Sequence, residues 1–222
     1  MSKKFLHLDR SGLVEQDTVF ERDFVNTHPA GPTDKLENDG IYDQISSDDY
    51  DYFKQFYPEG LTSHGKNYLY RYFELTKIAH NNQDGFLNSE NIARLYIDEK
   101  AVPQIWLTEM IFELIRRREY SKQPSRFQSV FAAQNRDELD QWRNLSAVNA
   151  ESGDIYSVSS VNSYKFDSSL LNLGSFEGKY RGFGDMVKKS ARDYWSEKTS
   201  DTPVYEVLLE PPVEVEEPVD ST

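Results

Sequence analysis

Residues 204–209 read V-Y-E-V-L-L and constrain the rest of the chain more than any other stretch. β-branched, aromatic and aliphatic side chains follow one another between Pro203 and the pair Pro211 and Pro212, the pattern of a β-strand bounded by residues that cannot extend it. Side chains alternate across a strand, so Val204, Glu206 and Leu208 share one face while Tyr205, Val207 and Leu209 share the other. Glu206 is therefore a single carboxylate among apolar neighbours. Spacing alone favours an edge-strand glutamate turned to solvent. The other option is a carboxylate withdrawn from water, which is costly unless a partner pairs with it or a reaction uses it.

With 222 residues the chain is long enough to bury a real core around that strand, and one domain is expected. Aromatic residues at 14% and charged residues at 28% fit a folded protein rather than a disordered one. The formal net charge of −13 argues against nucleic acid as a partner, because phosphate binding needs clustered Lys and Arg. An acidic surface suits solubility or a basic protein partner. The absence of cysteine removes disulfides, thiolate metal sites and cysteine nucleophiles. No apolar run approaches the roughly 18 residues that span a bilayer, and M-S-K-K-F-L-H-L has no signal-peptide core, so a cytoplasmic protein with no membrane partner is the expectation.

Along the chain, residues 5–8 predict a first strand with Phe5 and His7 on one face. An extended stretch over 13–24 contains Thr18, Val19 and Phe20, and the Pro- and Asn-rich run 26–38 predicts a loop. Residues 46–52 are acidic and aromatic. A helical segment is expected over 63–120. Ser63 opens a helix whose Leu69, Tyr72, Phe73 and Thr76 share a face, 89–96 is a shorter candidate, and Pro103 opens the strongest helix, to about Tyr120. The apolar residues of that last helix, Met110 and Leu114 among them, cover so wide an arc that it should be largely buried. Its terminal Arg116, Arg117 and Arg118 complement the helix dipole. Residues 124–133 predict a strand with Phe127, Ser129 and Phe131 on one face, Asn135 with Glu138 a capping box for a helix to Arg143, and 154–161 another strand. The glycine-rich run 174–184 reads as a loop, and Met186, Val187, Ser190, Ala191, Tyr194 and Trp195 mark one helix face. Residues 1–210 would make the domain. Residues 211–222, with four acids, no base and three prolines from 211 on, would be a disordered acidic tail. The pattern is α+β, with strands too irregularly spaced for a doubly wound sheet.

Several chemistries find no support in the sequence. There is no glycine-rich phosphate loop ending in G-K-S or G-K-T, no G-x-S-x-G elbow, and His7, His28, His64 and His80 lack metal-ligand spacing, so no metal is expected. What remains is a set of polar residues on separated strands: His7, then Ser125, Arg126 and Ser129, then Glu206. That layout resembles the ADP-ribosyltransferase fold, in which a first-strand His or Arg, a Ser- or aromatic-bearing middle strand and a late-strand Glu form the catalytic site. P-V-Y-E-V-L-L-E-P-P is similar to the late strand of that family. F-L-H-L-D-R-S-G-L, F-Y-P-E-G-L-T-S-H-G, the run from E-M-I-F-E-L to P-S-R-F-Q-S-V-F-A, and Y-W before the last strand resemble an uncharacterised bacterial and phage family of the same fold.

The resemblance implies an NAD-dependent ADP-ribosyltransferase of unknown acceptor, with NAD as substrate. His7 would hydrogen-bond a ribose hydroxyl and Arg126 would contact the pyrophosphate, flanked by Ser125 and Ser129. Phe127 or Phe131 would stack near the nicotinamide, and Glu206 would stabilise the oxocarbenium-like charge as nicotinamide leaves. Arginine-targeting members carry an acid or Gln two residues before the catalytic Glu. Here that position is Val204, which points to a different acceptor or to lost activity. The alternative implied by the same resemblance is a non-catalytic phage anti-defence protein of this fold that binds a host toxin or defence factor, acting in the host cytoplasm. A third option is an interaction module with no NAD site. Each residue also has a plainer reading: His7 as a satisfied core histidine, Arg126 as half of an ion pair, Tyr194 and Trp195 as core packing.

Overall fold

The computed structural model describes residues 2–10, 12, 14–22, 54–66, 68, 104–144, 153–171 and 183–219. Within them the chain forms β1 (Lys3–Asp9), β2 (Val19–Phe20), α1 (Gln104–Glu119), β3 (Val130–Ala132), α2 (Arg136–Arg143), β4 (Asp154–Ser160), β5 (Ser163–Asp167), α3 (Phe183–Trp195), β6 (Tyr205–Leu209) and β7 (Val213–Val219). Helical turns also occur at 54–56 and from residue 63. The expected loop over 26–38, the acidic run 46–52, the helix face ending at Thr76 and the candidate helix 89–96 lie outside the described residues.

All strand pairings are antiparallel. One sheet has the order β1-β4-β7-β2, the other β3-β6-β5. They meet where Leu6 and Ala133 exchange two backbone hydrogen bonds of 2.8 Å. Valines and aromatics from both sheets, among them Phe5, Val158, Val207, Leu209 and Val213, fill the space between them. The far face of the β3-β6-β5 sheet carries α1 and α3, with Phe112, Phe166, Ala191, Trp195 and Leu208 packed together. α2 closes a smaller cluster of Leu8, Leu139 and Ile155 at the junction. The result is an α+β arrangement with β6 as the middle strand of its middle layer.

That position decides the fate of residues 204–209. The alternation is as expected: Leu208 faces the helices, Val207 and Leu209 the other sheet. Both faces are covered, however, and Glu206 is 1% exposed. The edge-strand, solvent-facing glutamate favoured by spacing is not what forms, because β3 and β5 flank β6 on both sides. β5 escapes the sequence pattern because it follows β4 after only Val161 and Asn162. The two short crossings between the sheets, β4 to β5 and β6 to β7, lie side by side here: Ser160 Oγ donates to the carbonyls of Asn162 and Glu210, each at 3.0 Å, and Glu210 N donates to Asn162 O at 3.1 Å.

Three further expectations are corrected. The expected disordered tail over 211–222 is overturned through residue 219 and the domain does not end at 210, since Val213–Val219 pairs with β4 on one side and β2 on the other, while 220–222 lie outside the described residues. Composition suggested disorder, but V-E-V-E-E-P-V has the period of a strand. Val213 and Val215 point inward at 0% and 2% exposure, Glu214 and Glu217 point outward, and Glu216 is paired with Lys4. Residues 124–133 are not one strand: a 3-10 turn at Arg126–Gln128 precedes the three-residue β3. α1 is less buried than its composition implies, with Met110 and Leu114 at 43% and 63% exposure, as is Met186 of α3 at 60%. The capping expectation for α2 holds at Asn135, whose Oδ1 accepts from Glu138 N at 3.0 Å. Glu138 returns a bond to Gln134 N rather than to the cap residue itself.

If β7 is integral, Val215→Asp should cost about 3 kcal/mol or more by burying an unpaired charge, while Glu217→Lys should stay within about 0.5 kcal/mol. Urea melts of both variants check this, and a disordered segment would leave both neutral.

Candidate functional site

The sequence S-R-F-Q-S builds the site through its own turn. Ser125 Oγ accepts from Phe127 N at 3.2 Å, capping the 3-10 turn, and Ser129 Oγ donates to Ser125 O at 2.7 Å. The turn is clasped from outside by residues 60–65. Thr62 Oγ1 donates to the carbonyls of Phe127 and Ser129, both at 3.1 Å, and Gln128 Nε2 donates to Gly60 O at 2.8 Å. A Cβ on Gly65 would lie 2.2 Å from Phe127 O, so only glycine permits this approach. With its backbone fixed on both sides, the turn projects Arg126 inward, at 4% exposure.

Arg126 meets two carboxylates and a phenol. Its Nε and Nη2 donate to the two oxygens of Glu109 on α1, both at 2.7 Å, a bidentate fork. Its Nη1 donates to Glu206 Oε1 on β6 and, at 2.7 Å, to the Tyr194 hydroxyl on α3. Tyr194 in turn donates to Glu206 Oε1 at 2.7 Å. The guanidinium carbon sits 4.7 Å from the Phe131 ring centre and 5.5 Å from that of Tyr194, within cation–π reach. Glu109, Tyr194 and Glu206 are each at most 2% exposed. Burial pushes the Glu206 carboxyl above the usual carboxylate range, with the Arg126 charge and the Tyr194 hydrogen bond opposing it. Burial likewise raises Tyr194 well above a free phenol.

The structure brings Arg126 and Glu206 into direct contact, 80 residues apart in sequence. Ser125, Phe127 and Ser129 belong to the same turn, but the serine hydroxyls are engaged within it. Phe127 stacks on Tyr68, 4.9 Å between centres. His7 stands apart. Its Nδ1 donates to Phe131 O at 2.8 Å and its ring packs edge-on to Phe20 at 5.1 Å, so it reaches the cluster only through Phe131, whose side chain faces Arg126. Burial pushes the His7 imidazole below its ordinary range, opposed by that backbone bond. Among the described residues no group of three or more His, Asp or Glu has the geometry of a metal site. No described helix is long and apolar enough to cross a membrane.

Sequence reasoning missed Glu109, Tyr194 as a polar participant, and His64. Glu109 is hidden in a run of apolar helix residues. Its signal is Glu113 one turn later, likewise buried, and paired with Arg116 at 2.8 Å. His64 lies among the rings of Phe131, Tyr68 and Phe127, at 4.6, 4.8 and 6.3 Å. Its Nε2 is buried without a hydrogen-bond partner, and burial lowers its pKa to about 4, so it is neutral near pH 7.

Because the folded Glu206 carboxyl binds its proton more tightly than the unfolded one, ionising it weakens the fold. Stability from this group is full below the unfolded carboxylate range and is lost as pH rises through the folded value. Glu206→Gln, which cannot ionise, should therefore gain on the wild type as pH is raised from about 5 to 8, read from the difference in melting temperature at each pH. Arg126→Ala leaves the Glu109 and Glu206 carboxyl groups buried without their shared cation and should cost about 3–5 kcal/mol in urea melts.

No curated protein matches the chain. A family model does, over residues 35–221, which takes in Glu109, Arg126, Tyr194 and Glu206 and leaves out His7. The chain belongs to that family, DUF2441, a family of proteins of unknown function.

Proposed function

We propose that this protein is an NAD-directed ADP-ribosyltransferase-like protein of unassigned acceptor, with Glu206 as the group that stabilises charge on the departing nicotinamide ribose. The observation that supports this is the convergence of Arg126 and Glu206. Each is singled out by the resemblance on a different segment, and they share one hydrogen-bonded cluster walled by Phe131 and Tyr194. Arg126 would turn to the pyrophosphate and Phe131 or Phe127 to the nicotinamide. His7, on the strand joined to β3, would meet the ribose. In the closed cluster the donors of Arg126 are engaged by Glu109, Glu206 and Tyr194, so NAD entry requires the Arg126–Glu206 contact to open.

That same closure favours a second reading: a non-catalytic protein of this fold, phage-encoded and acting on a host toxin or defence factor, in which the cluster only holds the core together. A thermal-melt titration separates the two. NAD binding to the folded state alone stabilises it by about 2.7 kcal/mol at a hundredfold excess over the dissociation constant. The enzyme reading expects a rise in melting temperature that is reduced in Arg126→Lys, together with nicotinamide release that is lost in Glu206→Gln. The absence of any shift at millimolar NAD would sink it and leave the binding protein.

A further inference from the structure

The cluster holds two carboxylates but one guanidinium, and the two acids are not equivalent. Glu109 takes two N–H donors of Arg126 in a fork, whereas Glu206 receives one, together with the Tyr194 hydroxyl, both on Oε1. The described elements around the cluster supply these groups, and the segment from residue 62 adds His64, neutral near pH 7, and the Tyr68 phenol, both within electrostatic reach of Glu109 and Arg126. α1 supplies Glu109, the 3-10 turn Arg126 and α3 Tyr194. On β5 and β3 the neighbours on this face are the apolar rings of Phe166 and Phe131. The β5 cation, Lys165, is turned to the opposite face, bonded to Gln134 and Glu138. Two like charges sharing a buried site cannot both ionise freely when one cation must serve both, and the acid with the poorer share of that cation keeps its proton.

We propose that Glu109 is a positioning residue that sets the charge on Glu206: by claiming the fork of Arg126 it leaves Glu206 as the neutral, protonated member of the pair, with the proton on Oε2. Oε1 already accepts from Arg126 and Tyr194, which leaves the other oxygen for the proton. For the reading proposed above, on which the functional meaning of this inference rests, the resting Glu206 is then uncharged. Stabilising a cationic transition state would require that proton to pass to water admitted as the site opens, which relieves the burial that holds it.

The test needs no NAD and no activity, so it stands whether or not the enzyme reading does. Carbon-13 spectra of protein labelled at the glutamate side-chain carboxyl are recorded from about pH 5 to 9 on wild type, Glu206→Gln and Glu109→Gln. One carboxyl should remain protonated at about pH 7 in wild type and vanish in Glu206→Gln. In Glu109→Gln the same carboxyl should release its proton at least about one pH unit lower, a tenfold loss in proton affinity. A role for Glu109 in packing alone would lower the melting temperature without moving that titration. A wild-type spectrum with every carboxyl ionised at about pH 7 overturns the proposal. So does a Glu206 titration indifferent to Glu109→Gln. Should Glu109→Gln fail to fold, the wild-type and Glu206→Gln spectra decide alone: a protonated carboxyl removed by Glu206→Gln upholds the proposal, and its absence refutes it.

Discussion

Four groups from four separate elements meet where water does not reach: Glu109 from α1, Arg126 from the 3-10 turn, Tyr194 from α3 and Glu206 from β6. The guanidinium is the only cation among them, and it adds a polar tie between the helical layer and the middle sheet to the apolar packing of Phe112, Phe166, Trp195 and Leu208. Removing it strands the Glu109 charge and takes a donor from Glu206, whereas replacing the whole group by apolar residues of similar volume is often neutral or stabilising in proteins. Stability alone therefore gives no reason for a chain to keep such a cluster. What it adds is specificity: the fork of Glu109 fixes Arg126 in plane, and Arg126 fixes where Glu206 and Tyr194 point.

The surroundings are arranged to hold that one side chain. Gly65 lets the segment from residue 60 lie against the turn backbone, Thr62 ties the carbonyls on either side of Gln128, and Ser125 and Ser129 close the turn from within. Asp167 does similar work at the other end of β5, accepting from Ser169 and from the backbone of Ser200 and Val204, which sets the entry of β6. The hydrogen bonds it accepts hold its carboxyl below the usual range in spite of burial. The polar side chains around the cluster are thus mostly spent on backbone, which is how a short, irregular turn is kept rigid inside a protein.

Much of this was legible from local pattern. The alternation of 204–209, the α1 and α2 boundaries and the Asn135 cap follow from side-chain periodicity and capping chemistry, which are properties of neighbours in sequence. What failed was what depends on distant residues. Whether Glu206 lies on an edge or a central strand is decided by β3 and β5, and no property of V-Y-E-V-L-L carries that information. β7 was hidden because acids and prolines dominate its composition while its strand signal rests on two inward valines. Glu109 was passed over because an acid in an apolar helix carries no sign of burial until its distant partner is known. Glu206 came from the strand pattern, its pairing in one site with Arg126 from a resemblance, and their contact from the fold.

The order of strands in the sheet differs from their order in sequence. β7 follows the other described strands in sequence, yet it lies between β4 and β2 and leaves neither able to pair with the other without it. During translation β1 and β4 can zip together, but the sheet cannot be completed until β7 has left the ribosome. Until then the inner face of β4 and the valine-lined side of β6 lack the cover that β7 gives them, the kind of apolar strand exposure that favours aggregation during folding.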